Sequence, residues 1–182
     1  MARHETFTIS RHLDVPPGEV FAAFADTATR RRWFRLPGSG ASYEHDFRVG
    51  GGETARSMFA GLDTAPERLE YRSRYIDIVD THRIVYGYEA AVDGELRWTS
   101  LVTVRLHAET DGTRLEWTEQ VTFLRYEGDG GADLAHLRGA SVLRLNGLDA
   151  ALHPATSASA TTVKIPVGSG EGPAQHDVSD QR

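Results

Sequence analysis

The sequence has 182 residues, of which 40% are hydrophobic and 25% are charged, and its formal net charge is −6. This length suits one domain of about 150 residues with an additional segment, and the negative charge argues against non-specific binding to nucleic acid. The chain has no cysteine, which excludes disulfides, catalytic thiols and zinc–thiolate sites.

Both ends of the sequence carry information about location and domain extent. The first ten residues, MARHETFTIS, lack the apolar stretch of a signal peptide, and no run of about 18 apolar residues predicts a membrane span. We therefore expect a cytoplasmic protein.

From His153 onward the chain is rich in Ala, Ser, Thr, Gly and Pro. Such a segment buries too little apolar surface to offset its ordering entropy, which predicts a domain over 1–152 and a disordered tail over 153–182.

The first part of the domain is predicted to contain short strands and two short helices. Residues 5–13 alternate apolar and polar side chains, as in a strand. Pro16 and Pro17 suit the first turn of a helix, and Asp26 is expected to cap a second helix that ends at Trp33 and Phe34. Strands are predicted at 41–47 and about 53–60. The connecting RVGGGE lacks the residues of a phosphate-binding loop and indicates a sharp bend or bulge instead.

The second part is predicted to be four strands followed by one long helix. The strands lie at about 68–78, 83–92, 97–107 and 113–124, and their short connections, two of them with Asp-Gly pairs, are typical of antiparallel hairpins. The helix, 132–152, has one stripe at helical spacing: Leu134, Leu137, Ser141, Leu145, Leu148 and Leu152. A single such helix fits across the concave face of a curved sheet, which predicts an α+β fold.

The inward-facing positions of these strands are unusually aromatic and polar. Tight cores favour Leu, Ile and Val, whereas large aromatic side chains with a few polar groups are typical of a ligand pocket. In the alternative interpretation, the tyrosines merely reach the rim of an ordinary core. The inward set includes Tyr71, Ser73, Tyr75, Tyr86, Tyr88, Trp98, Ser100, Trp117 and Glu119.

Glu119 is the misfit in the stretch TRLEWTEQVTFL, because strand alternation places it on the apolar face between Trp117 and Val121. Burying an unpaired carboxylate costs several kcal/mol. Three interpretations stay open. Glu119 could be a structural partner of a Tyr hydroxyl, a Trp N–H or Arg56. It could be an acceptor that orients a ligand. It could also be a general acid or base, which would need a second polar group such as Asp77.

Other polar clusters give weaker signals. The eight histidines show no metal-site spacing; His45 and Asp46 could supply ligands, but we predict no metal and no cofactor. The stretch TRRRWF, residues 29–34, is either the solvated face of a short helix, with Trp33 packed at the entrance of a cavity, or a contact for an acidic partner or anionic head group.

Five stretches, in this order, resemble the START/polyketide-cyclase (SRPBCC) superfamily, and within it the bacterial branch homologous to the activator of the heat-shock-protein-90 ATPase. They are VFAAFADTATRRRWF, DFRVGGGE, RIVYGYEAAVDGELRWTSLVTVRL, GTRLEWTEQVTFL and GLDAAL, and they cover about 5–152. The resemblance implies a helix-grip fold with a hydrophobic cavity between sheet and long helix. It does not imply one reaction, because the superfamily includes lipid carriers, cyclases and co-chaperone domains. The loop RYEGDGGAD departs from that branch, so ligand size cannot be carried over.

We therefore expect a helix-grip domain of about seven antiparallel strands, two short helices after the first strand and a long C-terminal helix. The favoured function is binding of a small hydrophobic or aromatic molecule in an internal cavity, without catalysis. A co-chaperone-like protein-interaction module and a polyketide cyclase or hydrolase-like enzyme are the alternatives, and a protein partner or homodimer stays open. The expected ligand-binding residues are Trp33, Arg56, Tyr71, Tyr75, Tyr86, Tyr88, Trp98, Ser100, Trp117 and Glu119.

Overall fold

A computed structural model of the chain describes residues 2–61 and 65–153. The elements follow in the order β1 (Arg3–Leu13), α1 (Pro17–Ala25), α2 (Thr27–Trp33), β2 (Ser39–His45), β3 (Glu53–Phe59), β4 (Glu67–Val79), β5 (Arg83–Val92), β6 (Glu95–Glu109), β7 (Gly112–Phe123) and α3 (Gly131–Leu152). The predicted tail lies outside the described residues from position 154 onward, so its expected disorder stays a prediction.

The seven strands form one antiparallel sheet in the order β1-β7-β6-β5-β4-β3-β2. The two short helices follow β1 at one edge and lead the chain to β2 at the opposite edge. The predicted stripe of α3 is buried at Leu137, Ser141, Leu145 and Leu148, because this face packs against the concave side of the curved sheet. The predicted α+β helix-grip fold is confirmed. No helix in the described ranges has the length and apolarity needed to cross a bilayer.

Turn chemistry sets the hairpin between β5 and β6. Its two-residue loop consists of Asp93 and Gly94, whose φ angles are 52° and 82°. Two successive positive φ angles are the requirement of a type I′ turn, which matches the twist of the flanking strands and favours Asp-Gly. The Asp-Gly signal in the sequence therefore predicted this connection correctly.

The glycine-rich stretch before β3 bends the chain tightly against β4. The Gly50 N–H donates to the Tyr75 carbonyl at 2.8 Å, and the Tyr75 N–H donates to the Gly51 carbonyl at 2.9 Å. A Cβ atom at Gly52 would lie 1.9 Å from the Ser73 carbonyl oxygen, so only glycine permits this approach. The predicted bend is present, and it delivers Glu53 to the first position of β3.

A β-bulge in β4 overturns the expected inward position of Asp77. Tyr75 pairs with Tyr86, but the next pair is Asp77 with Val85, so Ile76 is an extra residue that shifts the alternation by one. Ile76 is consequently exposed, and Asp77 accepts a hydrogen bond from Arg83 Nε at 2.7 Å on the outer surface. The suggestion that Asp77 supplies a second polar group beside Glu119 is wrong.

The two short helices dock onto α3 through Trp33. The Asp26 side chain caps α2 by accepting from the Thr29 N–H at 2.7 Å, as predicted. Trp33 is buried, and its Nε1–H donates to the Ala23 carbonyl at 2.9 Å. Gly147 of α3 lies directly against Trp33, where an added Cβ would come 3.4 Å from the Trp33 Cβ atom. This close approach explains a glycine that weakens the helix in isolation.

Candidate functional site

Glu119 lies at the centre of a buried hydrogen-bond network between the sheet and α3. Its Oε1 atom accepts from the Tyr88 hydroxyl at 2.5 Å. Its Oε2 atom accepts from Trp117 Nε1 at 3.1 Å and from the Ser141 hydroxyl at 3.3 Å. Trp98 Nε1 in turn donates to the Tyr88 hydroxyl at 3.1 Å. We call these five residues the Glu119 centre. The expected inward position of Glu119 and its contacts with a Tyr hydroxyl and a Trp N–H are present.

The Glu119 centre raises the pKa of Tyr88. Burial is the main cause, since the phenolate would lose its hydration, and the nearby Glu119 carboxylate adds to it. Tyr88 therefore acts as a hydrogen-bond donor at neutral pH and holds the carboxylate in place. The Ser100 hydroxyl, on the neighbouring strand, is also buried.

A second buried carboxylate, Glu53, pairs with an arginine of α2. Arg30 Nε donates to Glu53 Oε1 at 2.6 Å, and Arg30 Nη2 donates to Glu53 Oε2 at 3.0 Å. The Tyr43 hydroxyl also donates to Glu53 Oε1, at 2.6 Å. Both members of the ion pair are fully enclosed. We call Arg30, Glu53 and Tyr43 the Arg30–Glu53 centre.

Aromatic rings surround the Arg30 guanidinium. Its Cζ atom lies 4.0 Å from the ring centroid of Trp33, 4.6 Å from that of Phe34 and 5.3 Å from that of Phe24. The negative faces of such rings attract a cation, so they offset part of the hydration that the guanidinium loses on burial. Arg30 is thus held by the Glu53 carboxylate and by ring faces, although its Nη1 atom has no hydrogen-bond partner among the described residues.

The ion pair fixes the charge state of both partners. Burial raises the pKa of Glu53, but the Arg30 charge and the hydrogen bonds from Arg30 and Tyr43 bring it below its ordinary value. Burial lowers the pKa of Arg30, but the Glu53 carboxylate raises it well above its ordinary value. Burial also raises the pKa of Tyr43, an effect that the Glu53 charge reinforces. A charged pair and a neutral phenol are therefore maintained at neutral pH.

The predicted pocket tyrosines pack against one another rather than around an open chamber. Tyr71, Tyr75, Tyr86 and Tyr88 are each at most 3% exposed, and Trp117 is 1% exposed. Ring centroids of Tyr71 and Tyr88 are 5.0 Å apart, and those of Tyr75 and Tyr86 are 5.9 Å apart. These rings therefore contact one another directly.

Arg56 lies away from the interior. Its side chain is 58% exposed, and its Nε atom is 3.9 Å from Glu70 on the outer surface of the sheet. Because Arg56 follows Ala55 in β3, and Ala55 is the buried neighbour, strand alternation turns Arg56 outward. Of the three structural partners suggested for Glu119, Arg56 is therefore wrong, whereas the Tyr hydroxyl and the Trp N–H are present.

The candidate metal ligands His45 and Asp46 do not converge. His45 contacts the Thr27 hydroxyl at 3.1 Å through Nδ1 and the Tyr75 hydroxyl at 3.1 Å through Nε2, and burial lowers its pKa. Asp46 pairs with Arg48 at 2.8 Å. Both ring nitrogens of His45 are therefore engaged by hydroxyl groups.

Two exposed groups each combine one histidine with two acidic residues. In each, the carboxylates approach opposite nitrogens of the imidazole, at 3.0 and 3.8 Å in the first group and at 2.7 and 3.4 Å in the second. All of these side chains lie on the surface, where such groups are common without a metal ion. The groups are His12, Glu109 and Asp111, and Asp14, Asp149 and His153.

A cleft of about 490 Å³ opens where α2 meets β2 and β3. We call it the α2 cleft. Its walls combine aromatic and aliphatic side chains with three arginines, and none of its lining residues is acidic: Arg31, Phe34, Arg35, Leu36, Gly38, Ala41, Ser42, Tyr43, Ala55 and Arg56. Tyr43 also belongs to the Arg30–Glu53 centre, so the cleft lies directly over that centre. Its volume falls in the range of small-molecule sites.

Phe34 separates the α2 cleft from the tyrosine-rich interior. The Phe34 ring is 3% exposed. Its centroid lies 4.8 Å from that of Tyr71 and 5.8 Å from that of Tyr43. The Arg144 Cζ atom of α3 lies 5.1 Å from the same centroid. The Tyr71 hydroxyl is buried and, within the described ranges, has no hydrogen-bond partner.

This architecture agrees with a family model. Residues 14–138 match the model described as "Activator of Hsp90 ATPase homolog 1-like protein", and the matched range contains the Arg30–Glu53 centre, four of the five residues of the Glu119 centre and most of the sheet. The chain belongs to this family. It thereby also falls in the START/polyketide-cyclase superfamily that the sequence motifs indicated.

Solved structures similar to this family member come from several bacteria. An uncharacterized protein from Rhizobium leguminosarum is 37% identical, with a TM-score of 0.71, over 84% of this chain and 97% of that chain. The Mll3558 protein from Rhizobium loti is 39% identical, with a TM-score of 0.68, over 83% of this chain and 99% of that chain. CalU16 from Micromonospora echinospora, at 19% identity and a TM-score of 0.54, shares the fold alone. No curated protein matched the chain.

The Arg30–Glu53 centre of this family member was missed by sequence reasoning. The three arginines of TRRRWF were expected on the solvated face of a short helix. Arg31 and Arg32 are exposed, but Arg30 is buried. The available signal was the position of Arg30 relative to Trp33 and Phe34: residues three and four apart share one face of a helix. Glu53 carried a second signal, because a charged residue directly after a tight glycine bend is held close to the neighbouring strand.

Proposed function

We propose that this protein binds a small hydrophobic or aromatic molecule, with the α2 cleft as the mouth of the site and Phe34 as the movable ring between the cleft and the interior. The observation that carries the proposal is the buried hydroxyl of Tyr71, whose ring contacts Phe34 and which has no hydrogen-bond partner among the described residues. An unsatisfied buried hydroxyl costs about 1–3 kcal/mol, and such groups in native structures call for an explanation. A bound molecule that reaches past Phe34 would supply the missing partner.

The lining of the cleft supports the same proposal. Phe34, Leu36, Tyr43 and Ala55 provide apolar contact surface, while arginines at the rim remain hydrated. Small-molecule sites typically combine a mostly apolar wall with a few polar groups that orient the ligand. Binding needs no catalytic pair, and the structure places Asp77, the only second polar group suggested beside Glu119, on the outer surface.

Dye binding with a blocked cleft tests the proposal. N-phenylnaphthylamine, a neutral apolar dye, should bind the protein saturably and quench tryptophan fluorescence. Ala41 lines the cleft and is exposed on β2, so Ala41→Trp should fill the cleft and weaken dye binding at least about tenfold, or about 1.4 kcal/mol. Ala150→Trp, at an exposed position of α3 outside the cleft, is the matched control. Equal dye affinity of the two variants would contradict the proposed mouth.

A second candidate function is a co-chaperone-like interaction, and the family match is the observation that favours it. A protein of this class should change the ATPase rate of an Hsp90-type chaperone when mixed at equimolar concentration. Measuring that rate with and without the protein separates the candidates. A stimulated rate that persists in Ala41→Trp would favour interaction over ligand binding, and an unchanged rate would remove this candidate.

A further inference from the structure

Two donors behind the α2 cleft lack acceptors among the described residues. Arg30 Nη1 and the Tyr71 hydroxyl are both buried without a hydrogen-bond partner. A guanidinium N–H can only donate, and a hydroxyl can donate to any acceptor. The Arg30 Cζ atom lies 4.6 Å from the Phe34 ring centroid and the Tyr71 ring centroid lies 4.8 Å from it, so both side chains border the space that this ring fills. A group that satisfies Arg30 Nη1 must be an acceptor, and the Tyr71 hydroxyl can donate to an acceptor too.

Cations gather around the same position. Arg144 Cζ lies 5.1 Å from the Phe34 ring centroid, and in the described ranges no carboxylate lies within ion-pair distance of Arg144. Arg31 and Arg35 line the cleft beside Phe34, and no acidic side chain lines it. In a chain whose net charge is −6, such a local excess of arginine favours an anion.

The Phe34 ring itself indicates the shape of the occupant. It fills a slot between guanidinium groups and the Tyr71 and Tyr43 rings, which is an arrangement that suits an aromatic ring. Phe34 is the C-cap residue of α2, and residues 34–38 have no regular secondary structure. The ring can therefore leave its slot without unwinding a helix or breaking a strand ladder.

We propose that the ligand is a small aromatic carboxylic acid whose ring replaces that of Phe34 and whose carboxylate accepts hydrogen bonds from Arg30 Nη1 and the Tyr71 hydroxyl. This inference rests on the proposed function, because it names the chemical class of the molecule that enters by the α2 cleft. A carboxylate fits better than a phosphate, since burying a doubly charged group costs more than two donors return. Arg144 supplies a second cation beside the ring.

Phenylacetate and phenylacetamide test the inference by isothermal titration calorimetry. Both carry the ring of Phe34, and they differ in the charge of one group. Charge-assisted hydrogen bonds are about twice as strong as neutral ones, so phenylacetate should bind at least about tenfold more tightly. Tyr71→Phe should weaken phenylacetate more than phenylacetamide and so remove most of that difference, since the hydroxyl makes a charge-assisted bond to the carboxylate and only a neutral bond to the amide oxygen. Arg144→Gln should also weaken phenylacetate selectively.

Tyr75→Phe is the matched control for Tyr71→Phe. Tyr75 lies on the same strand and face, but its hydroxyl already contacts His45, so phenylacetate affinity should change less than about twofold. Equal affinity for both compounds in the unmodified protein would overturn the carboxylate inference and leave the proposed function standing. Tight phenylacetate binding that is insensitive to Tyr71→Phe and Arg144→Gln would place the anion on surface arginines and overturn it too. If neither compound binds and Ala41→Trp leaves dye binding intact, both proposals fail.

Discussion

Two glutamates of this domain are equally buried and are stabilised in opposite ways. Glu53 has the Arg30 guanidinium at 2.6 Å and is part of a charged pair. Glu119 is surrounded by the neutral donors Tyr88, Trp117 and Ser141, and among the described residues no cation lies within ion-pair distance of it. The comparison teaches that burial alone does not decide how a carboxylate is accommodated. The neighbouring groups determine whether a buried carboxylate pairs with a cation, as Glu53 does, or accepts hydrogen bonds from neutral donors, as Glu119 does.

The largest expected effect is the loss of the Glu53 charge. Glu53→Gln leaves the Arg30 guanidinium buried without a counter-charge, and breaking a buried pair this way costs about 3–5 kcal/mol. Urea denaturation measures the free energy of unfolding. Glu95→Gln is the control, because Glu95 has the same 2.6 Å distance to Arg125 but lies on the surface; exposed pairs contribute about 0–1 kcal/mol. Similar losses in both variants would contradict the buried-pair interpretation.

Acid should remove the stabilisation of the same pair. The Arg30 charge and hydrogen bonds hold the pKa of Glu53 below its ordinary value despite burial. In the unfolded chain Glu53 takes up its proton near pH 4.3, whereas the folded chain keeps the charge to lower pH. The stabilisation is therefore complete above about pH 4.3 and is lost as the pH falls toward the folded-state value. Below about pH 4.3, the free energy of unfolding of the unmodified protein should fall more steeply with decreasing pH than that of Glu53→Gln. Parallel curves of this free energy against pH would contradict the interpretation.

Glu119→Gln should cost less than Glu53→Gln because no buried cation loses its partner. The substitution replaces one acceptor oxygen by an NH₂ group that faces donors, which costs about 1–3 kcal/mol. Glu116→Gln, three positions earlier on the same strand, is the control, since Glu116 meets Arg114 at 3.5 Å on the outer face. Urea denaturation of both variants gives the difference. If Glu119→Gln is as mild as Glu116→Gln, the three hydrogen bonds of Glu119 do not stabilise the fold.

A pair of tyrosines sharpens the comparison between the two centres. The hydroxyls of Tyr88 and Tyr43 donate to their carboxylates at 2.5 Å and 2.6 Å, but within the described ranges only Tyr88 also accepts a bond, from Trp98 Nε1. Tyr43→Phe leaves Arg30 bound to Glu53 and should cost about 0.5–1.5 kcal/mol. Tyr88→Phe removes a hydrogen-bond donor to Glu119 and leaves the Trp98 N–H without its acceptor. It should therefore lower the free energy of unfolding by about 1.5–3 kcal/mol. Equal losses in the free energy of unfolding would show that the two centres do not differ as described.

Sequence patterns predicted the fold and one of these two centres. The period-two alternation that flags Glu119 holds because β7 has no bulge, so its inward set includes Trp117, Glu119 and Val121 as expected. The same reasoning failed for Asp77, since one extra residue at Ile76 reverses the phase and leaves no local composition signal. Arg30 was hidden for a different reason. Its partner lies 23 positions away, and only the tertiary contact between α2 and β3 shows that one of three successive arginines is buried.

The packed interior was also beyond the reach of sequence. Alternation correctly placed Tyr71, Tyr75, Tyr86 and Tyr88 on the inner face, but it does not give the distances between rings. At centroid separations of 5.0 Å and 5.9 Å for two of the pairs, the rings contact each other directly. Whether aromatic side chains on the inner face surround a cavity or fill the space depends on the curvature of the sheet and on the distance between α3 and the sheet. Both are properties of the whole fold.

The smallest expected effect is the pH dependence of the stabilisation by His153. It is opposite in sign to that of Glu53, because it is lost as the pH rises and not as the pH falls. A hydrogen bond to the Asp149 carbonyl raises the pKa of His153, and the Asp14 carboxylate, 2.7 Å from Nε2, adds to this. A raised pKa means that the stabilisation is complete below the unfolded value, near pH 6.5, and is lost as the pH rises through the folded value. His153→Gln should lower the melting temperature at pH 5.5 and have no effect at pH 9. The effect stays small because the contact is exposed and screened by salt. A decrease of equal size at both pH values would show that His153 acts by packing and not through its charge.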